Sequence, residues 1–171
     1  MEDLIYCQRD IPKEQWRYGL RTSAATGCGW IATYNALKLL GKEETPENLI
    51  AYYERKFPVI HGNLGTMILA PAMYFKKRGY KVDWTARYDR FDQVAKDSHA
   101  CILFYRWHSK WKLGAHFVAL HHTPDGFIGY NTYTNSKGPD RYGQSLSAFL
   151  KQKKYFGGVL ISIRKPGREL V

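Results

Sequence analysis

With 171 residues, 44% of them hydrophobic and 24% charged, the chain has the size and composition of a folded domain with its own core, which excludes a disordered or fibrous protein. Twenty-six basic against fifteen acidic residues leave a net charge of +11, which favours anionic partners such as nucleic acid, an anionic membrane surface or an acidic substrate. No apolar run resembles a signal peptide or reaches the length of a membrane span, so residues 1–171 are expected to form one cytoplasmic domain. Cys7, Cys28 and Cys101 show neither a paired pattern nor a metal-ligand spacing, and Cys101 sits in an apolar run that assigns it to the core.

Residues 1–25 read as a polar, aperiodic arm that must pass close to the stretch after it. There, Thr26-Gly27-Cys28-Gly29-Trp30 sets a cysteine between two glycines where a loop turns into a helix. Apolar residues at Trp30, Ile31, Tyr34, Leu37 and Leu40 have three- and four-residue spacing, which predicts a helix over 30–40 that Gly41 stops. The glycines are expected to let the backbone bend sharply and to leave room for another molecule beside the sulfur. At the first turn, unpaired N–H groups and the positive end of the helix dipole favour a nucleophilic thiolate over a thiol.

Thr45 as N-cap and Pro46 at the first helical position predict a second helix through Lys56, ended by Pro58. Gly62, Asn63 and Gly65 make a loop, and Thr66 caps a third helix that runs to Gly79 with Pro71 in its first turns or at a kink. Strands follow over 80–88 and 100–107, separated by a short helix over 91–96. A strand over 114–122, the turn Thr123-Pro124-Asp125-Gly126 and a returning strand over 127–133 form a hairpin. A polar loop over 135–143, a helix over 146–153 and a strand over 158–163 that closes the sheet complete the chain. Helices first and an antiparallel sheet afterwards predict an α+β domain with one core between the two layers.

Of the six histidines, His61, His99 and His108 fall in loops or at element edges, and His121 and His122 lie at the far end of their strand. His116 opens the stretch Gly114–Leu120, where small neighbours leave its ring accessible. Asn131, on the strand after the turn, shares a face with Phe127 and Gly129, and the missing side chain at Gly129 leaves space for an imidazole. Its side-chain amide can accept from one ring nitrogen and turn the other toward the sulfur, the base-plus-orienter arrangement a cysteine nucleophile needs. Asn135 takes that place if the hairpin register slips.

Gly27-Cys28-Gly29 opening a helix, Ala115-His116-Phe117-Val118 beginning a strand and a polar residue fifteen positions later together resemble the papain-like cysteine peptidases. The resemblance is closest to their compact bacterial branch of bacteriocin-processing, double-glycine peptidases and spans about residues 22–133. It implies a papain-like fold, an N-terminal helical layer packed on a C-terminal antiparallel sheet. It also implies a peptide or small amide substrate and no metal or organic cofactor, with Cys28 as nucleophile, His116 as general base and then acid, and Asn131 as orienter. The family's oxyanion-binding glutamine stands six residues before the cysteine, which is Thr22 here. Thr22, Ser23 and Trp16 are the candidates to replace it, and Gln8 reaches the site only if the arm folds back.

Two functions follow. One is a thiol-dependent hydrolase, peptidase or amidase, that works through an acyl-enzyme, with Tyr105, Trp107, Trp111 and Tyr133 available to line an apolar cleft. The other is a binding module that keeps the fold, leaves Cys28 inert and turns a basic, aromatic surface to an anionic partner; no nucleic-acid motif accompanies the basic clusters.

Overall fold

The computed structural model describes residues 4–56 and 65–166. In chain order the elements are β1 (Arg17–Tyr18), β2 (Arg21–Thr22), α1 (Ser23–Thr26), α2 (Cys28–Leu39), α3 (Pro46–Lys56), α4 (Ala70–Lys77), β3 (Lys81–Thr85), α5 (Phe91–Lys96), β4 (Ala100–Ser109), β5 (Lys112–Thr123), β6 (Gly126–Tyr130), β7 (Asp140–Gly143), α6 (Leu146–Gln152) and β8 (Phe156–Arg164). Strands β3 to β8 form one antiparallel sheet in the order β3-β8-β4-β5-β6-β7, so the α+β class expected from the sequence holds.

The expected single core is instead two. Along β4, β5 and β8, Ile102, Phe104, Phe117, Ala119, Ile161 and Ile163 pack toward α2, α3 and α4. The alternate residues Leu103, Tyr105, Val118, Leu120 and Leu160 pack toward α5 and α6. The reason is the unbroken apolar run of both parities in the central strands, which requires cover on both faces. β8 does not close the sheet at an edge but lies between β3 and β4, because Leu160 to Ile163 are buried on both sides.

Helix α2 is the centre of the first core. Every residue from Gly29 to Leu37 is buried, so the spacing that suggested one apolar stripe describes a helix covered all round. Its polar residues are satisfied: Thr33 bonds the Gly29 carbonyl and Tyr53, and Asn35 holds Ile5. Gly41, at φ +70, ends it, with the Lys42 N–H donating to the Leu37 carbonyl at 2.9 Å.

α3 begins at Pro46 as expected, with Thr45 Oγ1 accepting from the Asn48 N–H at 3.2 Å, while Pro58, His61, Gly62 and Asn63 lie outside the described residues. α4 starts at Ala70 with Pro71 in its first turn, later than a cap at Thr66 would give, because Thr66 Oγ1 is bonded to the Tyr18 hydroxyl instead. β6 stops at Tyr130 and does not run to Tyr133: Asn131 has φ +64, which turns the chain out of the sheet. Part of the expected polar loop pairs with β6 as β7.

The N-terminal arm is ordered by long-range contacts. Asn35 Oδ1 accepts from the Ile5 N–H at 2.9 Å, and its Nδ2 donates to the Ile5 carbonyl at 2.8 Å. Three residues on, a short 3-10 turn over Gln8–Asp10 lies against α1, at the seam between the helices and the sheet.

Candidate active site

Cys28 is the first residue of α2, at the helix N-terminus that its flanking sequence predicted. The two glycines serve packing rather than access. A side chain at Gly29 would collide with Thr66 Oγ1 at 2.6 Å, and one at Gly27 with the Ser23 carbonyl and Trp30 Nε1, both at 2.6 Å. The bend itself needs no left-handed residue, since Gly27 has φ −79 and ψ 2.

The expected thiolate is also corrected. Cys28 is half-buried, and the desolvation of its thiol pushes the pKa up to about 11. Hydrogen bonds from the Phe117 N–H and from the helix's own first N–H groups at Cys28 and Gly29 work in the opposite direction and are outweighed. The helix N-terminus therefore moderates a desolvation effect that it does not overcome.

His116 sits one residue before that Phe117 N–H, on β5. Burial lowers its pKa below the ordinary imidazole value, so the ring is neutral at pH 7. Its Nε2 lies 2.6 Å from the backbone carbonyl of Asn131, and because a carbonyl only accepts, Nε2 carries the proton and Nδ1 is left with a free lone pair. Among the described residues no hydrogen bond joins the Cys28 sulfur to the His116 ring. Tyr105 neighbours both: its ring meets the imidazole edge-on at 5.9 Å, and a charge on Cys28 would raise its hydroxyl pKa.

The group that holds the imidazole is thus the Asn131 carbonyl and not the side-chain amide expected from parity. With the strand ended at Tyr130, the Asn131 side chain turns to the arm, where Oδ1 accepts from the Gln8 N–H at 2.8 Å and Nδ2 donates to Gln8 Oε1 at 3.2 Å. The space expected at Gly129 is filled by the Tyr142 ring.

Gln8 is the residue that sequence position argued against. The arm folds back, and Gln8 Nε2 donates to the Ala24 carbonyl at 3.1 Å, one helical turn before Cys28. The sequence signal was a glutamine in an arm obliged to pass the sulfur; what it lacked was the two asparagines that clip the arm down.

Of the other oxyanion candidates, Ser23 is fully buried with its hydroxyl accepting from the Trp30 indole N–H at 3.1 Å, and Trp16 points its N–H outward to Glu47 at 2.8 Å. Thr22 does face the cleft. That cleft, about 810 Å³, is lined from the arm by Gln8, from the sheet by Tyr105, Trp107 and His116, and from the segment after β6 by Asn131 and Asn135. Trp111, expected in the cleft, lies at the β4–β5 turn and is 84% exposed. Cys7 and Cys101 are buried.

No family model and no curated protein matches the sequence. Among solved structures, the chain is similar to the peptidase domain of Streptococcus ComA, a bi-functional ABC transporter involved in a quorum sensing pathway. The match has 15% identity and a TM-score of 0.53, over 81% of this chain and 90% of that one. The fold is papain-like. The likeness drawn from Gly27-Cys28-Gly29 and Ala115–Val118 therefore holds for the architecture: the helix that opens with Cys28 packs against the strand that carries His116. No helix among the described residues is long and apolar enough to cross a membrane.

Proposed function

We propose that the protein is a thiol-dependent hydrolase, a peptidase or amidase, with Cys28 as nucleophile, His116 as base and then acid, and Asn131 as the residue that orients the ring. The observation that carries this reading is the sulfur at the first residue of α2 facing the Phe117 N–H, beside a histidine whose tautomer is fixed by the Asn131 carbonyl.

At rest both groups are neutral, so the proton moves as substrate arrives. The thiol proton passes to His116 Nδ1 while the sulfur bonds to the substrate carbonyl carbon, whose oxygen takes the negative charge. The Cys28 N–H and Gln8 Nε2 supply donors for that oxygen, with Thr22 the alternative side chain. Collapse breaks the C–N bond, the imidazolium gives its proton to the leaving amine, and an acyl-enzyme remains. Water, deprotonated by the same imidazole, attacks the thioester and releases the acid and the free thiol.

A second reading is the binding module with an inert cysteine, favoured by a thiol raised to about 11 and not paired with the imidazole at rest. A proteome-derived peptide library incubated with the protein separates the two. Cleavage that disappears in Cys28→Ala supports the hydrolase, and cleavage absent from both proteins supports the binding module.

A further inference from the structure

Strand β5 is paired on both sides for only part of its length. Ala119 to Thr123 bond to β6, but over 112–118 its ladder among the described residues is with β4 alone, because Asn131 turns the chain away. Ser109 and Lys112 close a two-residue turn as a hydrogen-bonded pair, so by strand alternation the N–H and C=O groups of Leu113, Ala115 and Phe117 point away from β4, the last toward Cys28. Leu113 and Ala115 are exposed, and the stretch from Leu113 to Phe117 spans about 17 Å. A free edge of this kind is a template for an extended chain. It runs directly to the proposed nucleophile.

The adjoining cleft is one-sided in charge. Arg9 and Lys13 line it from the arm, and no aspartate or glutamate is among its described lining residues. Asp10, beside them in sequence, is paired with Lys137 at 3.2 Å.

We infer that the substrate is an acidic peptide, laid as an added strand along the free edge of β5 with its carboxylates toward Arg9 and Lys13 and its scissile bond at Cys28. This rests on the hydrolase reading. Backbone pairing supplies register, and the two cations supply selection.

A tryptic, proteome-derived peptide library tests it, with cleaved bonds read by mass spectrometry. Aspartate and glutamate should be enriched about three-fold or more within four residues of the cleaved bonds. On the best acidic peptide, the double variant Arg9→Gln/Lys13→Gln should lose at least about ten-fold more kcat/KM than on its Asn/Gln counterpart, and salt should weaken the wild type in the same direction. Backbone N-methylation of that peptide should weaken binding at alternate positions and spare the ones between. Cleavage without acidic enrichment, equal losses on both peptides, or uniform effects of N-methylation would overturn the inference. If no peptide is cleaved, the hydrolase reading fails by itself. Capture of the same library on immobilised Cys28→Ala then decides the inference: acidic enrichment in the bound pool sustains the cation-lined cleft as a site for acidic peptides, and its absence overturns it.

Discussion

Two asparagines hold the N-terminal arm, and they do so in different surroundings. Asn35, buried on α2, grips both backbone groups of Ile5. Asn131, at the end of β6, grips the Gln8 N–H and the Gln8 side chain, and its own carbonyl holds His116. The same amide-to-backbone clip is a structural fastening behind the cleft and part of the proposed chemistry within it. The difference lies in what else each residue bonds: among the described residues the Asn35 side chain bonds the arm alone, whereas Asn131 connects the arm, the imidazole and the sheet edge.

The sharpest way to separate the two roles is at the histidine, which only the second clip reaches. His116→Gln should lower kcat/KM by about 10²–10⁴-fold, the usual contribution of a positioned general base, with urea unfolding little changed. Gln8→Ala comes next, at about 100-fold in kcat, the scale of one lost oxyanion donor; an unchanged rate would return that role to Thr22. Asn131→Ala should cost about 10- to 100-fold. Asn131→Gly should cost less, because glycine accepts φ +64 and keeps the carbonyl on His116 Nε2. Equal losses in the two variants would show that the side-chain clip, and not the carbonyl, matters. The smallest effect on turnover belongs to Asn35→Ala. It should lower unfolding stability by about 1–3 kcal/mol, for the half-buried Ile5 backbone groups left without partners, and leave kcat nearly as it was. A large loss of kcat there would erase the distinction between the two clips.

What the sequence disclosed and what it withheld follow from the range of the interactions. The start of α2 at Cys28, the hairpin bearing His116 and the fold class were legible because apolar spacing and turn residues are local signals. The second core was legible in principle, in the apolar run from Ala100 to Tyr105, but periodicity counts a face only when it alternates with polar residues. The place of Gln8 was not legible. It depends on Asn35 and Asn131 meeting backbone groups 30 and 123 residues away, and a side-chain amide bonded to a main chain leaves no pattern in the partner's sequence. The state of the thiol failed for another reason. A helix N-terminus can be read from sequence and argues for a thiolate, whereas the burial that opposes it depends on how the rest of the chain closes around the sulfur.

Brief, substoichiometric alkylation with iodoacetamide at a series of pH values, mapped by mass spectrometry, shows whether Cys28 is the reactive residue of a site that rests in its neutral form. A thiol pKa raised to about 11 leaves a thiolate fraction of about 10⁻⁴ at pH 7, so labelling should be slow there and climb about ten-fold per pH unit into the alkaline range. The label should fall on Cys28, since Cys7 and Cys101 are buried and burial raises the Cys101 thiol to about 12. A label that went first to Cys7 or Cys101 would contradict the assignment of the nucleophile, and a Cys28 rate already level at pH 7 would contradict the neutral resting pair.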